Sequence, residues 1–149
     1  MAKQKQAKLA DKVLEFLWKH RIECINSLHQ LDEKRKKNHD QGGSYAHWAS
    51  WNFMSFIHEE FKLGLLKNII QNIEGGVKRG FTDEDLVNFL KEVRDSYVNT
   101  VMSHRGSHST SAISNLIEEE KINVYRSLAG TSVLNSGSLK YLLSDLGQA

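Results

Sequence analysis

The chain has 149 residues, 40% of them hydrophobic and 26% charged, with a formal net charge of +2. That length fits one domain (1–149) around a single core, with residues 1–6 expected as a flexible tail. The near-neutral charge excludes a uniformly basic nucleic-acid binder, so any phosphate contact has to come from local clustering of cations.

Proline is absent, although average usage would supply roughly seven in a chain of this size. Proline breaks helix interiors and is common in loops and edge strands, so its absence favours long helices with short connections. The single cysteine, Cys24, excludes an internal disulfide and a cysteine-based zinc cluster. It reads as a small core residue in a reduced, cytoplasmic protein. MAKQKQAKLADK lacks the apolar core of a signal peptide, and no segment approaches the ~20 apolar residues of a membrane span.

Residues 7–37 read as one helix, with Leu14, Leu17, Trp18, Ile25 and Leu28 recurring at helical spacing. It runs into DEKRKKNHD (32–40), whose cations suit a helix C-terminus, and QGGS breaks it. A second helix is expected from Ser44 or Tyr45 to Ile73. Its first half carries one apolar face (Tyr45, Ala49, Phe53, Phe56, Ile57). Its second half carries another, turned well round from the first (Leu65, Leu66, Ile69, Ile70, Ile73), and Gly64 lies between. Such a helix either packs on two sides or kinks. Trp48 and Trp51 fall outside the first face and are expected to form an exposed partner surface.

EGGVKRG (74–80) reads as a loop, and Thr82 as the N-cap of a third helix with Asp83, Glu84 and Asp85 in its first turn. Leu86, Phe89, Leu90, Val93, Tyr97 and Val101 form its apolar stripe, ending near Ser103. Ser109, Thr110 or Ser111 caps a fourth helix that Gly130 ends, and Ser138–Leu146 makes a short fifth. The expected fold is all-α, an up-down helical bundle of four main helices plus a short C-terminal helix.

Short connections make antiparallel neighbours. On that basis Lys34, Arg35, Lys36, Lys37, His39, His47, His104, Arg105 and His108 fall at one end of the bundle. With Ser109 and Thr110 at a helix N-terminus, that end is a candidate anion or nucleic-acid site.

Familiar catalytic and metal motifs are missing. His58-Glu59-Glu60 has Lys62 where HExxH needs its second histidine, and His47 and His58 are eleven residues apart, ~16 Å along a helix and too far for one metal. Neither the Walker loop nor GxSxG occurs. Glu118-Glu119-Glu120 reads as a solvated helix face. No metal or cofactor is expected, and the catalytic residues, if any, are unassigned.

One segment, VNTVMSHRG (98–106), resembles the end of the RNase motif of HEPN helical-bundle ribonucleases, in which a histidine follows an arginine by four to six residues. His104 matches the histidine. Tyr97, Val98 and Asn99 stand where the arginine belongs, and Arg105 lies on the wrong side, so the motif is incomplete and the family is not assigned.

The expected function is a non-catalytic helical subunit that binds nucleic acid, or sits in a nucleoprotein assembly, through its basic end. The alternative is a protein-interaction or self-assembling bundle with no nucleic-acid role, and the weaker alternative is a HEPN-like ribonuclease with an incomplete motif. The interaction alternative rests on the aromatic load of residues 45–61 and on the greater expected length of the first two helices, ~45 Å against ~30 Å for the next two. A homo-oligomer is expected with either kind of partner.

Overall fold

The computed structural model describes residues 2–106, 111–130 and 138–147, with side chains described from Leu9 onward. These residues form five helices and no strand: α1 (Ala2–Asp40), α2 (Tyr45–Lys78), α3 (Asp83–Ser103), α4 (Ala112–Ala129) and α5 (Leu139–Asp145). The fold is the expected all-α bundle of four main helices with a short C-terminal one.

Chain direction alternates from α1 to α4, but chain neighbours are not always packing neighbours. α1 packs along α2, α3 along α4, and α2 along α4, while α1 touches α3 less extensively. Cross-helix pairs give the directions. His58 meets Glu120 and Phe61 meets Tyr125, so α2 and α4 run parallel. Tyr97 also meets Tyr125, and His104 meets Glu119, so α3 and α4 run antiparallel. The turn from α2 to α3 therefore joins two helices across the bundle.

Spacing explains the core. Val13, Leu17, Cys24 and Leu31 lie four, seven and seven residues apart and form one buried stripe of α1. Leu66, Ile69, Ile70 and Ile73 do the same on α2, with Leu86 and Leu90 from α3 and Val124 and Leu128 from α4. Leu139, Leu142 and Leu143 of α5 close the lower end against α3 and α4. Ser138 caps α5 by accepting from Tyr141 N–H at 3.0 Å.

α1 continues three residues past its expected end, to Asp40, with Lys37 and His39 in its last turn. Gly42 (φ 79°) then takes the left-handed conformation that turns the chain. Ser44 caps α2, its hydroxyl accepting from His47 N–H at 3.1 Å.

The loop expected at 74–80 is corrected. α2 passes through Gly64 and on through Gly75 and Gly76 to Lys78, leaving only residues 79–82 for the turn, with Gly80 at φ 94°. Gly76 has a packing reason: a Cβ there would collide with the Phe81 ring, which folds back onto the helix. The glycine run marks a close approach and not a loop.

Thr82 makes the expected cap as a full capping box. Its hydroxyl accepts from Asp85 N–H while the Asp85 carboxylate accepts from Thr82 N–H. Among the three residues proposed to cap α4, Ser111 does so, accepting from Ser114 N–H; Ser109 and Thr110 lie outside the described residues. Gly130 (φ 81°) ends α4. Among the described residues, no helix is long and apolar enough to cross a membrane.

Candidate interaction surface

α2 has 34 residues, α3 has 21 and α4 has 18; at 1.5 Å per residue these are ~51, ~32 and ~27 Å. The α1–α2 hairpin therefore outreaches α3. Where α3 stops, the apolar stripes of α2 and α4 continue without cover. Trp51 is 77% exposed, although it shares a helix face with Ile69, which is 1% exposed. Ile113 is 61% exposed, and Val124, about three turns further along the same face of α4, is 0% exposed. Both helices present their N-terminal halves at this end, so the two uncovered stretches belong to one end of the bundle. Leu116 and Met102, also exposed, lie on the neighbouring turns of α4 and α3.

Trp48 corrects an expectation. Its sequence position predicts an exposed partner surface shared with Trp51, but it is only 8% exposed. It lies under Tyr45, with ring centroids 5.6 Å apart, and lines a hollow with Asp32 and Arg35 of α1. The three-residue step from Trp48 to Trp51 turns the side chain about 60° short of a full circle, enough to take Trp51 off α1. The buried Trp48 indole N–H has no hydrogen-bond acceptor among the described residues, at a cost of about 1–3 kcal/mol.

The basic run is weaker than its spelling suggests. Between residues 32 and 40, four cations face three carboxylates, Asp32, Glu33 and Asp40, leaving a net +1. Arg35 donates from Nε and Nη2 to Asp32 Oδ1 at 3.1 and 2.9 Å, and Lys36 Nζ lies 3.4 Å from Asp32 Oδ2. The Arg35 hydrogen bond, with Lys36 adding to it, holds the Asp32 carboxyl below its ordinary range. Lys34 and Lys37 are exposed and make no ion pair among the described residues.

Nor does the structure draw His104 to that run. His104 Nε2 lies 2.9 Å from Glu119 Oε1, and the adjacent Glu120 is 2.7 Å from His58 Nδ1. His58 is thirteen residues below Tyr45 on α2, ~20 Å down the helix. His104 therefore sits well beneath Lys34–Lys37 because α3 is too short to reach the top. Arg105 is exposed at the same lower level. His108 lies outside the described residues.

The Glu118–Glu120 run is likewise more than a solvated face. Glu120 and His58 are mostly buried, at 18% and 27% side-chain exposure, and tie α4 to α2, while Glu119 ties α4 to α3. Sequence reasoning missed both pairs: the partners are 62 and 15 residues apart, and the first depends on α2 and α4 being parallel neighbours. The ligand of His104 is a carboxylate, not the cation that the ribonuclease motif requires.

Cys24 is buried, and its thiol is pushed up to about 12 by burial and by the neighbouring Glu59 carboxylate, so it is an inert core group. Among the described residues, no three His, Cys, Asp or Glu side chains are grouped to hold a metal ion.

No family model, curated protein or solved structure matches this chain.

Proposed function

We propose that the protein is a non-catalytic helical interaction module that engages a protein partner through the uncovered end of its core face, with Trp51 as the anchor. The observation that carries this reading is the 77% exposure of Trp51 on the helix face that leads down to the buried Leu66 and Ile69. Large aromatics at the centre of a contact supply much of its energy, and an apolar patch of this kind marks an interaction site. The simplest occupant is a second copy in a two-fold homodimer. A reduced, cytoplasmic setting suits the lone buried thiol.

Sedimentation velocity over a wide concentration range tests this, comparing wild type with Trp51→Lys and Ile113→Lys. A mass that rises with concentration in the wild type, and stays monomeric in both variants, supports self-association. A wild type that stays monomeric, and captures no protein when a photo-crosslinking residue replaces Trp51 in cells, overturns the reading.

A second reading keeps nucleic acid as the partner, favoured by Lys34 and Lys37, which make no ion pair among the described residues, beside the exposed His39 and His47. It predicts fluorescence-anisotropy binding to labelled DNA or RNA that weakens with salt. Lys34→Ala/Lys37→Ala should lower the log–log salt slope by about 2, near 0.9 per lost phosphate contact. Binding with an unchanged slope excludes these lysines.

A further inference from the structure

The opposite side of α2 carries a separate feature. Phe53 follows Trp51 by two residues and so points ~160° away from it. There Tyr45, Trp48, Phe53, Phe56 and Ile57 line a hollow of about 380 Å³, with Asp32 and Arg35 at its edge. This is the first-half apolar face of α2 that neither the core nor the end surface uses.

Three observations point to one ligand chemistry. The volume suits a small molecule and not a polypeptide segment, and the walls are four aromatic side chains and an isoleucine. At the edge Arg35 is paired with Asp32, and Lys36, outside the lining, engages the second Asp32 oxygen, so the Asp32 charge is fully countered. Arg35 uses Nε and Nη2 on Asp32 and has no hydrogen bond from Nη1 among the described residues. Finally, Trp48, more than nine-tenths buried in the lining, has an indole N–H without an acceptor among the described residues.

We propose that this hollow is a binding site for a small planar aromatic carboxylate, its ring against the aromatic walls, its carboxylate on Arg35 and supplying the acceptor that Trp48 lacks. The indole N–H is sealed beneath the surface, so contact requires a small tilt of the Trp48 ring, and its N–H signal becomes the reporter. A neutral aromatic of the same shape fills the walls but forgoes the charge-assisted bond to Arg35.

The test is titration of the ¹⁵N-labelled full chain with 2-naphthoate, and separately with neutral 2-naphthamide, following the three tryptophan indole N–H resonances. Trp18→Phe and Trp51→Phe, both at exposed positions, assign two signals and leave Trp48 by elimination without perturbing the hollow. The expected result is a saturable shift of the Trp48 signal with naphthoate while the Trp18 signal stays still. Arg35→Gln should weaken naphthoate at least about tenfold, the loss of one good charged contact, and leave the naphthamide affinity unchanged. No saturable Trp48 shift at millimolar naphthoate, a common drift of all three indoles, or equal naphthoate affinity in Arg35→Gln each overturns the proposal.

Discussion

Trp51 and Ile69 lie on one face of α2, eighteen residues and about five turns apart, yet the first is 77% and the second 1% exposed. The helix is the same; what changes is that α3, across the bundle, reaches the level of Ile69 and stops short of Trp51. The consequence is energetic asymmetry along a single stripe. Ile69→Ala should destabilise the fold by about 2–5 kcal/mol, as for a buried isoleucine. Trp51→Ala should stay within about 0.5 kcal/mol of wild type in the monomer. Urea denaturation at a concentration low enough to keep the chain monomeric checks both. A large cost for Trp51→Ala would mean that the residue is covered within its own chain.

Leu90 and Val93 are three residues apart on α3 but differ in setting. Leu90 is fully buried, and Leu90→Asp strands a carboxylate there at a cost of about 3–5 kcal/mol or more, enough to unfold a domain of ordinary stability. Val93 edges a groove with Asn68, Asn72 and Ser96, so Val93→Asp finds polar neighbours and water and should cost only about 1–2 kcal/mol. Circular dichroism melts of the two variants should separate widely. Equal loss would place Val93 in the core.

The His58–Glu120 pair fixes α4 on α2. Glu120→Ala leaves a mostly buried imidazole without its acceptor and should cost about 1–3 kcal/mol. His104→Ala, whose partner Glu119 is half exposed, should cost no more than about 1 kcal/mol. A double-mutant cycle over His58 and Glu120 measures the coupling directly, and a coupling near zero would assign the two side chains to solvent.

The helices were legible because apolar spacing, caps and turn glycines are local signals: Thr82 with Asp85, Gly42 and Gly130 are read directly from their neighbours. The surface was only half legible. Trp51 and Trp48 look alike in sequence, and which one is covered depends on α1 lying against one and α3 stopping short of the other. The basic run looked like a site because four cations are adjacent, while its neutralisation by Asp32 needed the i, i+3 and i, i+4 geometry to be weighed. The His58–Glu120 pair had no signal along the chain, because antiparallel neighbours were assumed and α2 and α4 run parallel.

Alkaline pH should weaken the fold. Burial, with the neighbouring Tyr125, pushes the Tyr97 hydroxyl from 10 up to about 12, and burial with Glu59 raises the Cys24 thiol from 9 to about 12. In both cases the folded chain holds a proton that the unfolded chain releases. Their stabilisation is complete below the unfolded values and is lost as pH rises through 9–12. Tyr97 alone accounts for about 2–3 kcal/mol across that window, at ~1.4 kcal/mol per pH unit. Tyr97→Phe should fold at neutral pH and show a shallower loss between pH 10 and 12 in guanidinium titrations; an unchanged slope would mean that this hydroxyl reaches water.

Gly64 and Gly76 should respond to alanine with opposite signs although both lie inside α2. Nothing lies within 4 Å of a Cβ built at Gly64, so Gly64→Ala gains helix propensity with no clash and should stabilise by roughly 0.5–1 kcal/mol. At Gly76 the same methyl group meets the Phe81 ring, which must leave its place over the helix and reopen the α2–α3 turn. Gly76→Ala should therefore be destabilising by about 1–3 kcal/mol, the range for overpacking a close contact. Adding Phe81→Ala relieves the clash, so the Gly76→Ala/Phe81→Ala double variant should lose less than the sum of the two single changes. Additive losses would show that the Phe81 ring is not what excludes a methyl group at Gly76.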